Sequence, residues 1–298
     1  MRLTNIWGSP TSRDCSANDP KKDASVPVIS LLTDFGDRDE YVGVLKGVIL
    51  SRAPQAVIVD ICHHIRPHDI RQAAAMLTAV FPYFPMGTLH VVVVDPGVGS
   101  DRDIVLARAQ KCDFLCPDNG LLTELITQGV LDAAWRVINQ ALFADAVSTT
   151  FHGRDIFAPV AGFLASGGTP EKLGSVKAID ELVCLEVASA RCDRQGCLQG
   201  VAVTIDRFGN IITNIGRDLL TSFCEGDLNQ FLAIEAGVVY SMPLVASYSA
   251  APAGQILATI GSRGTLEIAV NQGNAAEKLG IVPGAWIRVA REKKAGSP

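Results

Sequence analysis

The sequence predicts an α/β domain, a central sheet flanked by helices, followed by a smaller and mostly antiparallel all-β domain. Three observations carry this expectation. Apolar runs of strand length alternate with helically periodic segments through the first two-thirds of the chain. Those runs are nearly continuous, as in strands buried on both faces, rather than alternating. Past residue 185 the helical pattern gives way to short strand-like runs punctuated by glycine and proline.

Taken in order, residues 28–32, 56–61, 90–95 and 104–108 are β-branched and aliphatic, and read as strands. Residues 41–51 and 70–81 repeat apolar side chains at helical spacing, 120–129 reads as a short helix and 153–167 as a longer one. In the second part, strands are predicted at 200–206, 210–214, 231–236, 255–260, 265–270 and 286–291. Asn274 stands as the N-cap of a helix over 275–279. The expected organisation is a polar, disordered tail at 1–25, an α/β domain at 26–186 and a β domain at 197–293. The polar stretch 188–196 serves as the linker.

Composition narrows the function. With 298 residues, 48% hydrophobic and 19% charged, the chain can bury a sizeable core. A net charge of −5 argues against nucleic acid as a partner, since phosphates call for surplus Lys and Arg. No apolar run approaches the roughly 18–20 residues of a membrane span, and residues 1–25 carry no apolar export core. A cytoplasmic protein with no membrane partner is expected. The eight cysteines, at 15, 62, 112, 116, 184, 192, 197 and 224, include no CxxC pair and are expected to be reduced thiols. Cys62, His63, His64 and His68 look like a metal cluster, but Pro67 keeps them off one helix face, and no metal site is expected.

The chemistry-bearing residues lie at predicted strand ends. Asp34 ends the first strand, ahead of Gly36 and the acids Asp37, Asp39 and Glu40. In open α/β sheets ligands bind beyond the carboxyl ends of strands, and an aspartate there suits a ribose diol. The other reading of these acids, Asp39 and Glu40 above all, is helix capping. Asp95 tips the four-valine strand and is followed by a Pro-Gly turn and Arg102. It is a catalytic candidate or a turn-former. His152 precedes Gly153 in a charged glycine turn ahead of a helix. An Asp, an Arg and a His on separate loops at one sheet edge can form a base, its orienter and an electrostatic clamp. No Walker A loop, GxGxxG fingerprint or GxSxG elbow occurs. In the β domain, Asp206 and Asn210 flank a tight Arg-Phe-Gly turn and Ser262-Arg263-Gly264 precedes a strand; both also read as ordinary turns.

Six segments, in this order, resemble one family: TDFGDRDEYVGVLKG, VVDPGVGSDR, PDNGLLTEL, TFHGRDIFAP, IDRFGNIITNI and SRGTLEIAVNQGNAA. They are similar to the S-adenosylmethionine (SAM) hydroxide adenosyltransferases, relatives of the SAM-dependent fluorinases and chlorinases, over about residues 28–291. The resemblance implies an α/β domain with a C-terminal barrel-like β domain, and active sites at the subunit interfaces of a homotrimer. It implies SAM as the substrate, hydrolysed to adenosine and methionine, with no further cofactor. By the same resemblance Asp95, Arg102 and His152 are the catalytic set, and Asp34 holds the ribose hydroxyls. Asp39, Tyr41 and Gly153 match substrate-pocket positions, Asp206 and Ser262 the methionine end, and Asn210, Arg263 and Ala275 the adenine side. Two other functions stay open: a SAM-dependent halogenase, and a non-catalytic SAM or adenosine sensor. The compact stretch between Asp95 and Asp118 lacks the long insertion of fluorinases, and a sensor would not require the Asp-Arg-His set.

Overall fold

The computed structural model describes residues 26–110, 112–228 and 230–291. The tail expected at 1–25, Cys15 within it, and the last two residues of the expected β domain lie outside the described residues.

The first part is an α/β domain. Its elements run β1 (Val28–Thr33), α1 (Tyr41–Arg52), β2 (Val57–Cys62), α2 (Ile70–Val80), β3 (Leu89–Val93), β4 (Ile104–Ala109), β5 (Cys112–Pro117), α3 (Thr123–Thr127) and β6 (Leu131–Arg136). A π-helical turn (Gly153–Phe157) then leads into α4 (Ala158–Ala165). The six strands form one sheet in the order β2-β1-β3-β5-β4-β6. β2, β1, β3 and β5 pair in parallel, while β4 runs antiparallel to both β5 and β6. One face packs on α1, the π turn and α4 through Leu45, Ile49, Phe157 and Val160. The other packs on α2 and α3 through Ala73, Leu77 and Leu125, with Leu122 just ahead of α3. Both faces are therefore covered, which is why β3, Leu89–Val93, is buried along its whole length and apolar except at His90.

β5 and β6 were not expected from the pattern. β5 follows a turn in which Gln110 takes a left-handed φ of 50°, with no glycine to announce it. β6, LDAAWR, holds Asp and two Ala, poor strand formers that tertiary pairing overrides. The predicted helix at 120–129 is a single turn, α3, and the one at 153–167 opens with the π turn. The capping expectation for Asp39 and Glu40 does not hold. Glu40 sits at the N-cap position of α1 but already has helical φ and ψ and makes no side-chain cap bond, and Asp39 is exposed. A cap needs an extended residue whose side chain turns back on the N–H groups, the geometry Asp69 adopts on α2 by accepting Gln72 N at 2.9 Å.

The second part is an antiparallel, nearly closed barrel-like sheet. It comprises β7 (Arg191–Cys192), β8 (Leu198–Ile205), β9 (Ile211–Gly216), α5 (Arg217–Phe223), β10 (Phe231–Ala236), β11 (Val238–Pro243), β12 (Ile256–Ile260), β13 (Thr265–Val270), α6 (Ala275–Leu279) and β14 (Trp286–Arg291). The order is β11-β10-β14-β8-β9-β13-β12, with β7 paired to β8. A bridge between Leu244 and Ala258 brings the two ends together. β8 alternates buried and half-buried residues, the period of a strand with one face on the core. The stretch expected as a linker contains β7, a two-residue strand held by Cys192 pairing with Leu198. Asn274 caps α6 as expected, its Oδ1 accepting Glu277 N at 3.0 Å. No helix among the described residues is long and apolar enough to cross a membrane.

Candidate active site

Strand order locates the site. The chain leaves β1 for β2 on one side, then crosses back to β3 on the other side of β1. The crevice at this reversal, beyond the carboxyl ends of β1 and β3, is where open α/β sheets bind ligands. In register, Thr33 pairs with Val93, so Asp34 and Asp95 both leave the sheet at this end, one and two residues beyond their strands. The Asp34 carboxylate is half-buried, and its Oδ2 accepts the backbone N–H of His68 at 2.9 Å.

Asp95, Arg102 and His152 come together. Arg102 Nε donates to both Asp95 oxygens at 2.7 Å, and its Nη2 also donates to Asp95 Oδ2. The same Nη2 lies 3.0 Å from His152 Nδ1. Arg102 is thus the centre of the set, forked onto the carboxylate and touching the imidazole. Asp95 and Arg102 are largely buried, with side chains 5% and 10% exposed. Burial first, and the Arg102 cation second, hold the His152 imidazole below its ordinary pKa, against the opposing Asp95 and Asp155 carboxylates.

Local structure explains how these loops meet. Gly99, with φ of +80°, approaches the 148–150 segment so closely that a Cβ would lie 2.5 Å from the Thr149 carbonyl oxygen. His152 then immediately precedes the π turn, a distortion that recurs at functional sites. Asp155 inside that turn is buried and clamped by Arg154 Nε at 2.6 Å and by Ser148 N at 2.8 Å. Behind Asp95, Asn119 Nδ2 donates to the Val94 carbonyl at 3.0 Å. Tyr41 is exposed at one edge, its ring 5.0 Å from Phe151 and 6.0 Å from Phe35, centroid to centroid. Gly153 is buried against the same Phe35 and Phe151 rings.

A second group gathers on the β domain. Asp206 Oδ1 accepts Phe208 N and Asn210 N, and its Oδ2 accepts Asn210 Nδ2, all at 2.9 Å. The two side chains that the sequence places about one turn are therefore bonded to each other. Ala275 is buried and adjoins this turn through Ala276 N, which donates to Gly209 O at 3.0 Å. Ser262 and Arg263 are exposed on the turn between β12 and β13. Glu267, missed in the sequence, is buried on β13 and accepts the Tyr248 hydroxyl. Burial raises its pKa, with the Asp206 charge adding to the rise and Arg263 opposing it. A charged residue inside the apolar run TLEIAV was the available signal for Glu267.

Among the described residues, no hydrogen bond or ion pair joins the two groups within one chain. Ser262 and Arg263 line a cleft of about 1380 Å³ shared with Thr78, Glu124 and Thr127 of the same chain, and neither Asp34 nor the Asp95-Arg102-His152 set lines it. Nor are the histidines near Cys62 gathered. His63 Nδ1 meets Thr33 Oγ1 at 2.9 Å and its Nε2 lies 3.1 Å from Asp60, while His64 lies 3.5 Å from Asp37.

Residues 29–174 match the SAM hydroxide adenosyltransferase N-terminal domain, and residues 200–288 the C-terminal domain. An (R)-S-adenosyl-L-methionine hydrolase of Salinispora arenicola is 36% identical over 268 residues, covering 89% of this chain and 98% of that protein. A fluorinase of Nocardia brasiliensis is 29% identical, covering 88% of this chain and 96% of its own length. A crystal structure of an uncharacterized conserved protein from Thermotoga maritima superposes with a TM-score of 0.84 at 33% identity, over 88% of this chain and all of that one.

Proposed function

The chain belongs to the SAM hydroxide adenosyltransferase family, and from that premise we propose that it hydrolyses S-adenosyl-L-methionine to adenosine and L-methionine by in-line attack of water on C5′. The observation that carries this reading is the Arg102 fork, which engages Asp95 and touches His152 beyond the tip of β3, at the sheet end where β1 delivers Asp34.

The chemistry needs little else. The sulfonium makes C5′ electrophilic, and methionine leaves as a neutral thioether that needs neither a general acid nor a Lewis acid. The reading accordingly includes no cofactor and no metal. Placing water in line with the C5′–S bond supplies much of the acceleration. As the C5′–O bond forms and the C5′–S bond breaks, the water gives up a proton. Asp95 is the acceptor in this account, because a carboxylate retains lone-pair sites beyond those Arg102 occupies. His152 receives an Arg102 N–H on Nδ1, so its own proton is on Nε2, where it donates to the attacking oxygen rather than taking a proton from it. Arg102 fixes both partners and offsets developing negative charge.

Substrate binding is divided. Asp34 takes the ribose hydroxyls, and Asp39, Tyr41 and Gly153 border the same pocket. Asp206 and Ser262 take the methionine end, and Asn210, Arg263 and Ala275 the adenine side. By the family resemblance, the reading makes the protein a homotrimer, placed in the cytoplasm, in which a neighbour's β domain brings the second group to Arg102. The sulfonium is a stereocentre, and a site that fixes both ends of SAM aligns the C5′–S bond of only one epimer. The hydrolase relative's name specifies the (R) form, and that epimer is the expected substrate.

Halide transfer is the second reading, favoured by the fluorinase relative. A halide calls for a dehydrated pocket with neutral donors and no base, whereas the Arg102 fork presents a carboxylate. Incubating the purified protein with each SAM epimer, with and without chloride, separates the readings. Adenosine and methionine in equal amounts from the (R) epimer, unaffected by chelator, support hydrolysis. A 5′-chloro-5′-deoxyadenosine product would make it a halogenase, and binding without product would make it a sensor.

A further inference from the structure

Lys177 is an almost fully buried lysine outside the set that acts on water. Its backbone is pinned to the edge strand β6, where Lys177 N donates to Ala134 O at 2.9 Å and Arg136 N donates to Ser175 O at 2.8 Å. Its side chain, 6% exposed, crosses to two carboxylates: Nζ lies 2.7 Å from Asp103 Oδ2 and 2.6 Å from Asp118 Oδ2. Asp103 immediately precedes β4, and Asp118 immediately follows β5. Because β4 runs antiparallel to β5 and β6, with Ile104 opposite Pro117 and Val105 opposite Arg136, these termini share one end of the sheet. It is the end at which β3 delivers Asp95.

Three further contacts tighten the knot. Asp118 N donates to Asp103 O at 2.9 Å, Asp118 Oδ1 accepts Val183 N at 2.9 Å, and Arg136 Nε donates to Asp103 Oδ2 at 3.1 Å. The Asp118 and Asp95 charges also both act on the buried Cys116 thiol, which burial above all pushes up. Arg102 is the residue directly before Asp103. Its fork therefore stands on a backbone fixed on one side by β3 and on the other by the Lys177 tie.

Stability alone is a weak reason for such an arrangement. Taking a lysine and a 3%-exposed aspartate out of water costs much of what their attraction returns, and apolar replacements of such pairs are often neutral or stabilising. What a buried ion pair supplies is a defined position. We propose that Lys177 is a positioning residue of the active site, tying the start of β4 to the end of β5 so that Arg102 is held in its fork on Asp95 and His152. This rests on the reading that the Arg102 set handles the attacking water.

The test uses the full chain with Lys177→Met, Lys177→Arg and the double variant Lys177→Met/Asp118→Asn. Two quantities are measured: steady-state hydrolysis of (R)-SAM, and the titration of the His152 imidazole by NMR with 15N-histidine, assigned by its loss in His152→Asn. Misplaced groups lower kcat rather than binding, so Lys177→Met should lose about tenfold to a hundredfold in kcat with KM within about threefold. Lys177→Arg, which keeps a cation able to span two carboxylates, should recover most of the rate. The His152 titration should move up in Lys177→Met as Arg102 disengages. The double variant removes the uncompensated buried charge but not the missing tie. It should therefore stay slow and keep the raised titration, and it serves in place of Lys177→Met if that variant does not fold. Wild-type kcat and an unmoved His152 titration in Lys177→Met, or recovery of both in the double variant, would overturn the proposal. The titration does not depend on turnover. A wild-type protein that releases no adenosine would fail the functional reading while leaving the tie open to this second measurement.

Discussion

Arg102 Nη2 lies 3.0 Å from His152 Nδ1. A guanidinium only donates, so Nδ1 is the acceptor and the contact exists only with a neutral ring. Protonation would set one N–H against another. Because the imidazole is held below its ordinary value of 6.5 by burial and by Arg102, the contact is intact at neutral pH and is lost as pH falls through the lowered pKa. Turnover should fall on the acid side with an apparent pKa below 6.5. The pH profile of kcat for wild type and His152→Asn checks this: the limb should vanish in the variant, and an identical limb in both would remove His152 from it.

The fork also predicts how substitutions combine. Asp95→Asn, Arg102→Lys and His152→Asn should each lower kcat by about 10²–10⁴-fold with SAM affinity nearly unchanged. Arg102→Lys keeps the charge but cannot fork onto Asp95 and reach His152 together. Members of one unit are non-additive, so Arg102→Lys/His152→Asn should be little slower than the worse single variant. Rate losses that multiply would show independent roles.

Asp206 has a consequence for binding that differs from a purely methionine-end role. Its carboxylate holds the Asn210 side chain at 2.9 Å, so removing it also releases a residue assigned to the adenine side. Asp206→Ala should weaken both SAM and adenosine, each by about 1.5–3 kcal/mol, the range for hydrogen bonds to a charged group. Ser262→Ala, on a separate turn, should weaken SAM and spare adenosine. Calorimetry with both ligands checks the pair, and undiminished adenosine binding by Asp206→Ala would contradict the coupling.

His90 sets an acid limit on stability. It is fully buried on β3, with Nδ1 2.6 Å from Ser30 Oγ and its ring stacked on Phe114. Burial lowers its pKa from 6.5 to about 4. The unfolded chain therefore takes up a proton that the folded chain refuses. Stability is retained above pH 6.5 and is lost progressively toward pH 4, by about 3 kcal/mol for a shift of this size. Urea unfolding at pH 7.5 and pH 5 should show a smaller difference for His90→Gln than for wild type. Equal differences would mean that another group carries the acid sensitivity.

Much of this architecture was legible because burial writes itself into apolar runs. β1 and β3 are mostly aliphatic segments, and Asp34 and Asp95 stand out as the first acids beyond their tips. The turn of Asp206 and Asn210 was legible for a similar reason, since an Asp before a tight glycine turn bonds its own backbone. Contacts between distant loops were not. Arg102 and His152 are 50 residues apart, and what joins them is the close approach of Gly99 to Thr149, which no local spacing records. Lys177 was invisible for the same reason. It sits in an ordinary polar stretch and gains its two partners only when β6, itself poorly patterned, pairs with β4.

The central claim is that water attacks C5′ of SAM and that the C5′–S bond breaks. Hydrolysis of (R)-SAM in 18O-enriched water, with mass analysis of both products, tests it most directly. The account predicts one 18O atom in the 5′-hydroxyl of adenosine and none in methionine. Adenosine without the label, label in the methionine product, or a 5′-halogenated nucleoside whenever chloride is present would contradict it.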